Sequence, residues 1–243
     1  MLKSEIKEKI VLALDVETIE EAKGLVDKLS PYTGTFKVGL QLFMGYGLEI
    51  VNYILSKNSN FFLDVKLHDI PNTVQKASEN IILRGANFFN IHCTGGVEMM
   101  KAARIGANKI AQQLNKKPPI ILGVTMLTSI SQSVLDNEFE VNKNVSEFAI
   151  RLAKLAKEAG LDGVVASAVE VENIKKELGA DFKVLCPGIR PKWSLTDDQK
   201  RIATPAEAIK RGADYIVIGR AVTKSENPIE AMEKIYKEIE EEI

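Results

Sequence analysis

The sequence predicts an α/β protein, a single (β/α)8 TIM barrel spanning residues 1–243 as one domain. Three observations lead there. About eight short apolar runs alternate with helix-patterned segments along the whole chain. No linker-like composition separates them, and 243 residues is close to the length typical of such a barrel. The other fold that this alternation permits, a doubly wound open sheet, expects a Gly-rich turn after its first strand. Here that turn reads Asp15-Val16-Glu17-Thr18, and the closed barrel is preferred.

Ile10 to Leu14 is a continuous apolar run, as expected of a parallel strand covered on both faces. Thr18 caps the helix that follows, with Glu20 and Glu21 in its first turn and Ala22, Leu25, Val26 and Leu29 at helical spacing. Thr35 to Gly39 is the second strand, and Leu42 to Leu55 reads as one long helix interrupted by Gly45 and Gly47. Phe61-Phe62-Leu63 opens the third strand, and Pro71 is placed to open a helix that ends near Gly85. Asn87 to His92 is strand four, Val97 to Leu114 a helix, and Ile120 to Thr125 strand five. Ile130 to Asn142 reads as a polar, irregular link. An amphipathic helix runs from Val145 to Ala159 and stops at Gly160. Strands Gly163 to Ala166, Phe182 to Cys186 and Tyr215 to Ile218 complete the set, with helices over 169–178, 205–211 and 228–239. The run from Glu238 to Glu242 reads as a solvated helix end.

Hydrophobic residues make up 45% of the chain, enough for a large core, and the formal net charge of −1 gives no electrostatic reason to expect nucleic acid or an anionic membrane as partner. No apolar run is long enough to span a bilayer, and Ile10 to Leu14 is too short for a signal-peptide core. Cys93 and Cys186 are far apart and flanked by apolar runs, which fits two free thiols in a reducing cytoplasm.

Chemistry in such barrels gathers at the carboxyl ends of the strands. Standing there are Asp15, Lys37, Asp64 with Lys66 and Asp69, His92, Thr128, Arg190 and Arg220. Asp64 and Lys66 are two apart, so a regular strand puts both on one face. An Asp-x-Lys pair alone is most simply a solvated ion pair; directly after an apolar strand, with Asp69 three residues on, it reads as chemistry. A hard cation wants several converging carboxylates, whereas here lysines occupy the places between the acids. The pattern is an alternating ionic network without a metal, in which acids hold lysines protonated. Ile218-Gly219-Arg220 adds a phosphate signal, a strand end with open backbone and a fixed cation, and Arg190 and Gln199 belong to a long polar loop suited to a lid. His92 reads as a hydrogen-bonded structural histidine, and Trp193 as packing for the lid.

The stretch Asp64-Val65-Lys66-Leu67-His68-Asp69-Ile70-Pro71-Asn72-Thr73 resembles the signature of the orotidine 5′-phosphate decarboxylase family. The likeness extends through Leu12 to Asp15, Lys37-Val38-Gly39, His92 to Gly96, Thr125 to Ser129, Pro187-Gly188-Ile189-Arg190-Pro191, Asp198-Gln199 and Ile218 to Arg220. The Asp-x-Lys-x-x-Asp core alone is shared with related sugar-phosphate enzymes. The resemblance implies conversion of orotidine 5′-phosphate to UMP and CO2, the last step of de novo pyrimidine synthesis, by a cytoplasmic homodimer without metal or organic cofactor. By position it implies that Lys66 donates the proton to C6, Asp64 faces the substrate carboxylate and Lys37 joins them. Asp69, Ile70 and Thr73 are implied to enter the neighbouring subunit's site. Asp15 and Lys37 would hold ribose hydroxyls, Thr128 would contact the pyrimidine, and Gln199 would bridge base and phosphate. Arg190, Gly219 and Arg220 would hold the phosphate. Two other readings stand beside it. One is a related metal-dependent sugar-phosphate lyase, or an aldolase using Lys66 as a Schiff base, although flanking acids work against the lowered pKa that such a lysine needs. The other is a non-catalytic UMP-binding barrel.

Overall fold

The computed structural model describes residues 1–194 and 203–243. Eight parallel strands close into a barrel in chain order: β1 (Ile10–Ala13), β2 (Thr35–Gly39), β3 (Asn60–Leu67), β4 (Phe88–His92), β5 (Ile120–Val124), β6 (Gly163–Val165), β7 (Lys183–Cys186) and β8 (Tyr215–Ile218), with β8 pairing back onto β1. The helices are α1 (Lys3–Lys9), α2 (Ile19–Leu29), α3 (Leu40–Tyr46), α4 (Leu48–Ser56), α5 (Pro71–Leu83), α6 (Gly96–Gln113), α7 (Gln132–Asn137), α8 (Val145–Glu158), α9 (Val171–Leu178), α10 (Pro205–Lys210), α11 (Arg220–Thr223) and α12 (Pro228–Glu242).

Local chemistry accounts for the helix starts. Thr18, Asn144 and Thr204 each accept the amide of a glutamate three residues on, and that glutamate's carboxylate reaches back to the cap amide. Pro71 opens α5, where its missing N–H costs nothing.

Side chains alternate across each strand, and the alternation divides the interior in two. Outward residues such as Leu12, Phe36, Phe61, Phe89 and Ile121 join the helices in one large core. Inward residues Val11, Phe62, Phe88, Leu122, Val124, Val165 and Leu185 fill the barrel itself. Phe88 meets the Tyr215 ring edge-on at 5.1 Å and Phe62 at 6.1 Å, so aromatic rings plug the end where the strands begin. The same inward parity, two residues further along, delivers Ala13 after Val11, Lys37 after Thr35, Asp64 after Phe62, and Asn90 after Phe88, with Gly39 two beyond Lys37. Plug and site are thus successive layers of one column of side chains.

Four segments differ from the sequence reading. The N-terminal Lys/Glu stretch forms α1, whose Ile6 is completely buried and whose Lys7 carbonyl accepts the Gly34 amide at 2.8 Å; one buried apolar residue in seven leaves little periodicity to read. The expected helix over 42–55 is two, α3 and α4, parted at Gly47 with φ 54° and ψ −126°. The link over 130–142 contains α7, capped by Ser131 and anchored by the buried Leu135. The run after Ile218 turns at once into α11. Because a side chain strains the Gly47 conformation, Gly47→Ala is expected to lose about 1–3 kcal/mol. Equilibrium urea unfolding would show this as a lower midpoint, and an unchanged midpoint would mean that the two helices tolerate another junction.

Candidate active site

The site is built on an irregularity in β3. Phe62 and Leu63 pair with Phe88 and Phe89, but the next pair is Leu67 with Ile91, so four steps along β3 oppose two along β4. Within this bulge Lys66 adopts φ +50°, a left-handed conformation uncommon outside glycine. Its amide has left the ladder and donates to Asn90 Oδ1 at 2.8 Å. Asp64 and Lys66 do end on the same side, but through the bulge rather than regular alternation.

Asp64 is the hub. Its Oδ1 accepts Lys66 Nζ at 2.6 Å and Asn90 Nδ2 at 2.7 Å; its Oδ2 lies 3.1 Å from Lys37 Nζ. Lys37 reaches on to Asp15 Oδ1 at 3.0 Å. Burial pushes the Asp64 carboxyl up; the charges of Lys37 and Lys66, with the hydrogen bonds from Lys66 and Asn90, outweigh burial and hold it below the ordinary carboxylate range. Gly39 gives this array its room, since a Cβ there would stand 3.0 Å from Lys37 Nζ and 3.1 Å from Asp15 Oδ1.

Asp15, Lys37, Asp64 and Lys66 form one wall of an open cavity of about 660 Å³. The rest of the lining comes from Pro187, Gly188, Ile189, Arg190 and Ser194 after β7, and from Gly219 and Arg220 after β8, the strand that pairs with β1. Ile189 bridges Ala203, and the Arg190 amide donates to the Ala203 carbonyl at 3.1 Å. Glu238 Oε2 accepts the Lys192 amide at 3.3 Å and Glu242 Oε1 accepts Lys192 Nζ at 2.5 Å. Lys234 Nζ stands 6.0 Å from the Trp193 ring. The acidic end of α12 therefore secures the loop after β7 rather than only meeting solvent, and burial pushes the Glu238 carboxyl up.

Of the residues singled out from sequence, Asp15, Lys37, Asp64, Lys66, Arg190, Gly219 and Arg220 line this one cavity. Asp69, Ile70 and Thr73 do not; all three are exposed, and Asp69 Oδ1 accepts the Ile70 amide at 2.6 Å. Thr128 is exposed in the loop after β5. Gln199 lies outside the described residues. His92 packs its ring 5.2 Å from that of His68, and burial, then His68 and Lys66, push its pKa down. Cys93 and Cys186 are buried, their thiols pushed up to about 12, which leaves little reactive thiolate. Sequence reasoning missed Asn90. The available signal was its parity with Phe88 and His92, which marks it as inward-facing next to Asp64.

The arrangement can deliver a proton from Lys66, set a fixed negative charge against a bound anion at Asp64, and hold a second anionic group at Arg190 and Arg220 of the same cavity. Comparison with known proteins bears on the reaction. A sequence profile of the family described as Orotidine 5′-phosphate decarboxylase / HUMPS family matches residues 8–235. An orotidine 5′-phosphate decarboxylase of Moorella thermoacetica is 42% identical over 240 residues, covering 99% of this chain and 95% of that protein. One of Syntrophomonas wolfei is 46% identical, covering 97% and 99%. The crystal structure of orotidine 5′-phosphate decarboxylase from Lactobacillus acidophilus superposes with a TM-score of 0.83 at 35% identity, covering 96% of this chain and 99% of that one.

Asp64 binds fewer protons folded than unfolded, where its pKa is about 3.9. Its contribution to stability is therefore full above that value and is lost as the pH falls through the lower folded-state value. Asp64→Asn is expected to be less stable than wild type by on the order of 3 kcal/mol at neutral pH, with the gap narrowing below about pH 4. Denaturant unfolding of both proteins from pH 7 to pH 3 measures this; a gap that stays constant would contradict the assignment.

Proposed function

The chain belongs to the orotidine 5′-phosphate decarboxylase / HUMPS family, and from that membership we propose that it converts orotidine 5′-phosphate to UMP and CO2, the last step of de novo UMP synthesis. The observation that carries this reading is the Lys37–Asp64–Lys66 array, a carboxylate shared by two ammonium groups in the lining of a cavity that Arg190 and Arg220 also line.

Breaking the bond from C6 to the carboxylate leaves an electron pair on a carbon with no adjacent sink. The protein must meet that charge directly. The Lys66 ammonium does so, then gives its proton to C6 and is left as the neutral amine, which solvent reprotonates. Asp64 faces the substrate carboxylate, and the repulsion between them vanishes as CO2 departs. Two such charges about 4 Å apart at an effective dielectric near 20 interact by roughly 4 kcal/mol, about a thousandfold in rate if all of it is relieved in the transition state. Binding at the far end offsets that ground-state repulsion, with Arg190, Gly219 and Arg220 on the phosphate. Asp15 and Lys37 take the ribose hydroxyls, Thr128 the pyrimidine, and Gln199 spans base and phosphate.

In this reading residues 1–243 act as one catalytic domain in a cytoplasmic homodimer. Among the described residues no helix is long and apolar enough to cross a membrane. Asp69 and Thr73 are exposed and Ile70 is 67% exposed, which supports their use by a neighbouring subunit.

Two experiments test these assignments. Turnover of orotidine 5′-phosphate in the presence of EDTA is expected for wild type and is expected to fall at least about 100-fold in Lys66→Ala; a wild type silenced by the chelator would move the reaction to a metal-dependent relative. Lys66→Ala and Asp69→Ala dimers, each inactive, are then mixed and allowed to exchange subunits. If Asp69 serves the neighbouring site, random reassortment leaves about a quarter of the sites intact and restores activity to that level. No recovery, despite demonstrated exchange, would place Asp69 in its own subunit's site.

A further inference from the structure

We propose that Asn90 is a positioning residue for the decarboxylation, a single side chain that fixes both the backbone of Lys66 and the carboxylate of Asp64. The assignment rests on the function proposed above, which puts Lys66 and Asp64 at the reacting atoms. Asn90 is fully buried, and it is not part of the cavity wall, so it acts through the two residues it holds.

The bulge in β3 creates the need for it. With four residue steps of β3 opposing two of β4, the Lys66 amide has no backbone acceptor across the strand pair. A left-handed lysine persists only where its surroundings impose that conformation, and here a side-chain oxygen replaces the missing ladder bond. Asn90 Oδ1 takes the Lys66 amide at 2.8 Å, while Nδ2 donates to Asp64 Oδ1 at 2.7 Å. The carboxylate oxygen gripped by Asn90 is the one that receives Lys66 Nζ at 2.6 Å. One planar amide thereby sets where the lysine leaves the strand and where its ammonium ends.

Both bonds together select asparagine. The Lys66 amide is a donor and requires an acceptor; the Asp64 carboxylate is an acceptor and requires a donor. Aspartate at this position would turn a second carboxylate oxygen against Asp64. Leucine would leave a buried amide unpartnered, and serine is too short to span both groups. Among the described residues, the charged side chains tied to those that Asn90 holds are Asp64 and Lys66 on β3, with Lys37 of β2 behind Asp64. His92 follows on the same strand, with His68 against it. Residues 120–124 of β5, which pair on the other side, carry no titratable group.

The test compares wild type, Asn90→Asp and Asn90→Ser in steady-state turnover of orotidine 5′-phosphate from pH 5 to pH 9. UMP affinity is measured by calorimetry, and circular dichroism reports folding. The wild type separates the two claims: if it is folded and binds UMP without turning over substrate, the proposed reaction fails, and the role of Asn90 in it fails with it. With an active wild type, Asn90→Asp is expected to lose about 100-fold in kcat at pH 8, the scale of a small misplacement of a catalytic group. KM and UMP affinity should stay within about threefold, because the ligand-holding groups are untouched. Relative to wild type, that variant should regain activity toward pH 5, where one proton shared between Asp64 and the introduced carboxyl restores a donor. Asn90→Ser should lose kcat with no such recovery, and it carries the kcat test alone if Asn90→Asp does not fold. A folded variant whose kcat stays within about threefold of wild type, or whose losses in kcat and UMP affinity are equal with an unchanged pH profile, overturns the proposal.

Discussion

Burial disfavours a charged carboxylate, and Asp64 is nevertheless held as an anion at the carboxyl end of a buried strand. Everything nearby follows from keeping it so. Lys37 and Lys66 supply the opposing charge from two different strands. Asp15 then takes up the far side of Lys37, and the missing side chain at Gly39 leaves the space in which those two groups meet. The β3 bulge swings Lys66 within 2.6 Å of the carboxylate, and a neutral amide on the next strand supplies the last hydrogen bond. Removing either member of such a buried pair strands a charge, which costs more than the pair itself contributes. The cluster therefore stands or falls as a unit, and its geometry is tightly specified.

The barrel makes this affordable by separating packing from charge along one axis. Inward positions at the start of the strands carry Phe62, Phe88 and Tyr215, whose rings close that end, Phe88 meeting Tyr215 edge-on and Phe62 at a tilt. Two residues further along, the same column of positions carries Lys37, Asp64 and Asn90. The apolar layer excludes water from below, so the ionic layer sits in a medium where its interactions are stronger than in bulk solvent. It also means that the strained residue, Lys66, rests on a layer that packs without it.

The fold was largely legible because parallel strands buried on both faces read as unbroken apolar runs, and because Thr18, Pro71 and the glycines after helices mark their own boundaries. What was not legible depends on contacts far apart in sequence. α1 is held by Ile6 and by the Gly34 amide, and α7 by Leu135 and its Ser131 cap, each too little periodicity to stand out. Within the site, the charged strand ends Asp15, Lys37, Asp64 and Lys66 announced themselves by type and position. Asn90 did not, since an asparagine inside a strand is usually read as a turn residue nearby. The bulge was equally hidden: only the pairing of β3 with β4 reveals that the Lys66 amide leaves the ladder. Glu238 and Glu242 were misread for the same reason, because their partner Lys192 is some fifty positions away.

Two ends of one cavity have to be reconciled in the proposed reaction. A carboxylate placed against the substrate's own carboxylate raises the energy of the bound state, and something distant from C6 must hold the substrate there. The segments after β7 and β8 are suited to that task, because they carry Arg190 and Arg220 and because the start of the first is fastened to its surroundings. Ile189 and Arg190 are tied to Ala203, Lys192 to two glutamates of α12, and Trp193 lies against Lys234 of the same helix. At the other end Asp64 is held by three donors. In the proposed reaction, a substrate held by its phosphate and repelled at its carboxylate finds relief along one coordinate, the departure of CO2, and a cavity lined by both the ion-pair array and the loop arginines suits that asymmetry.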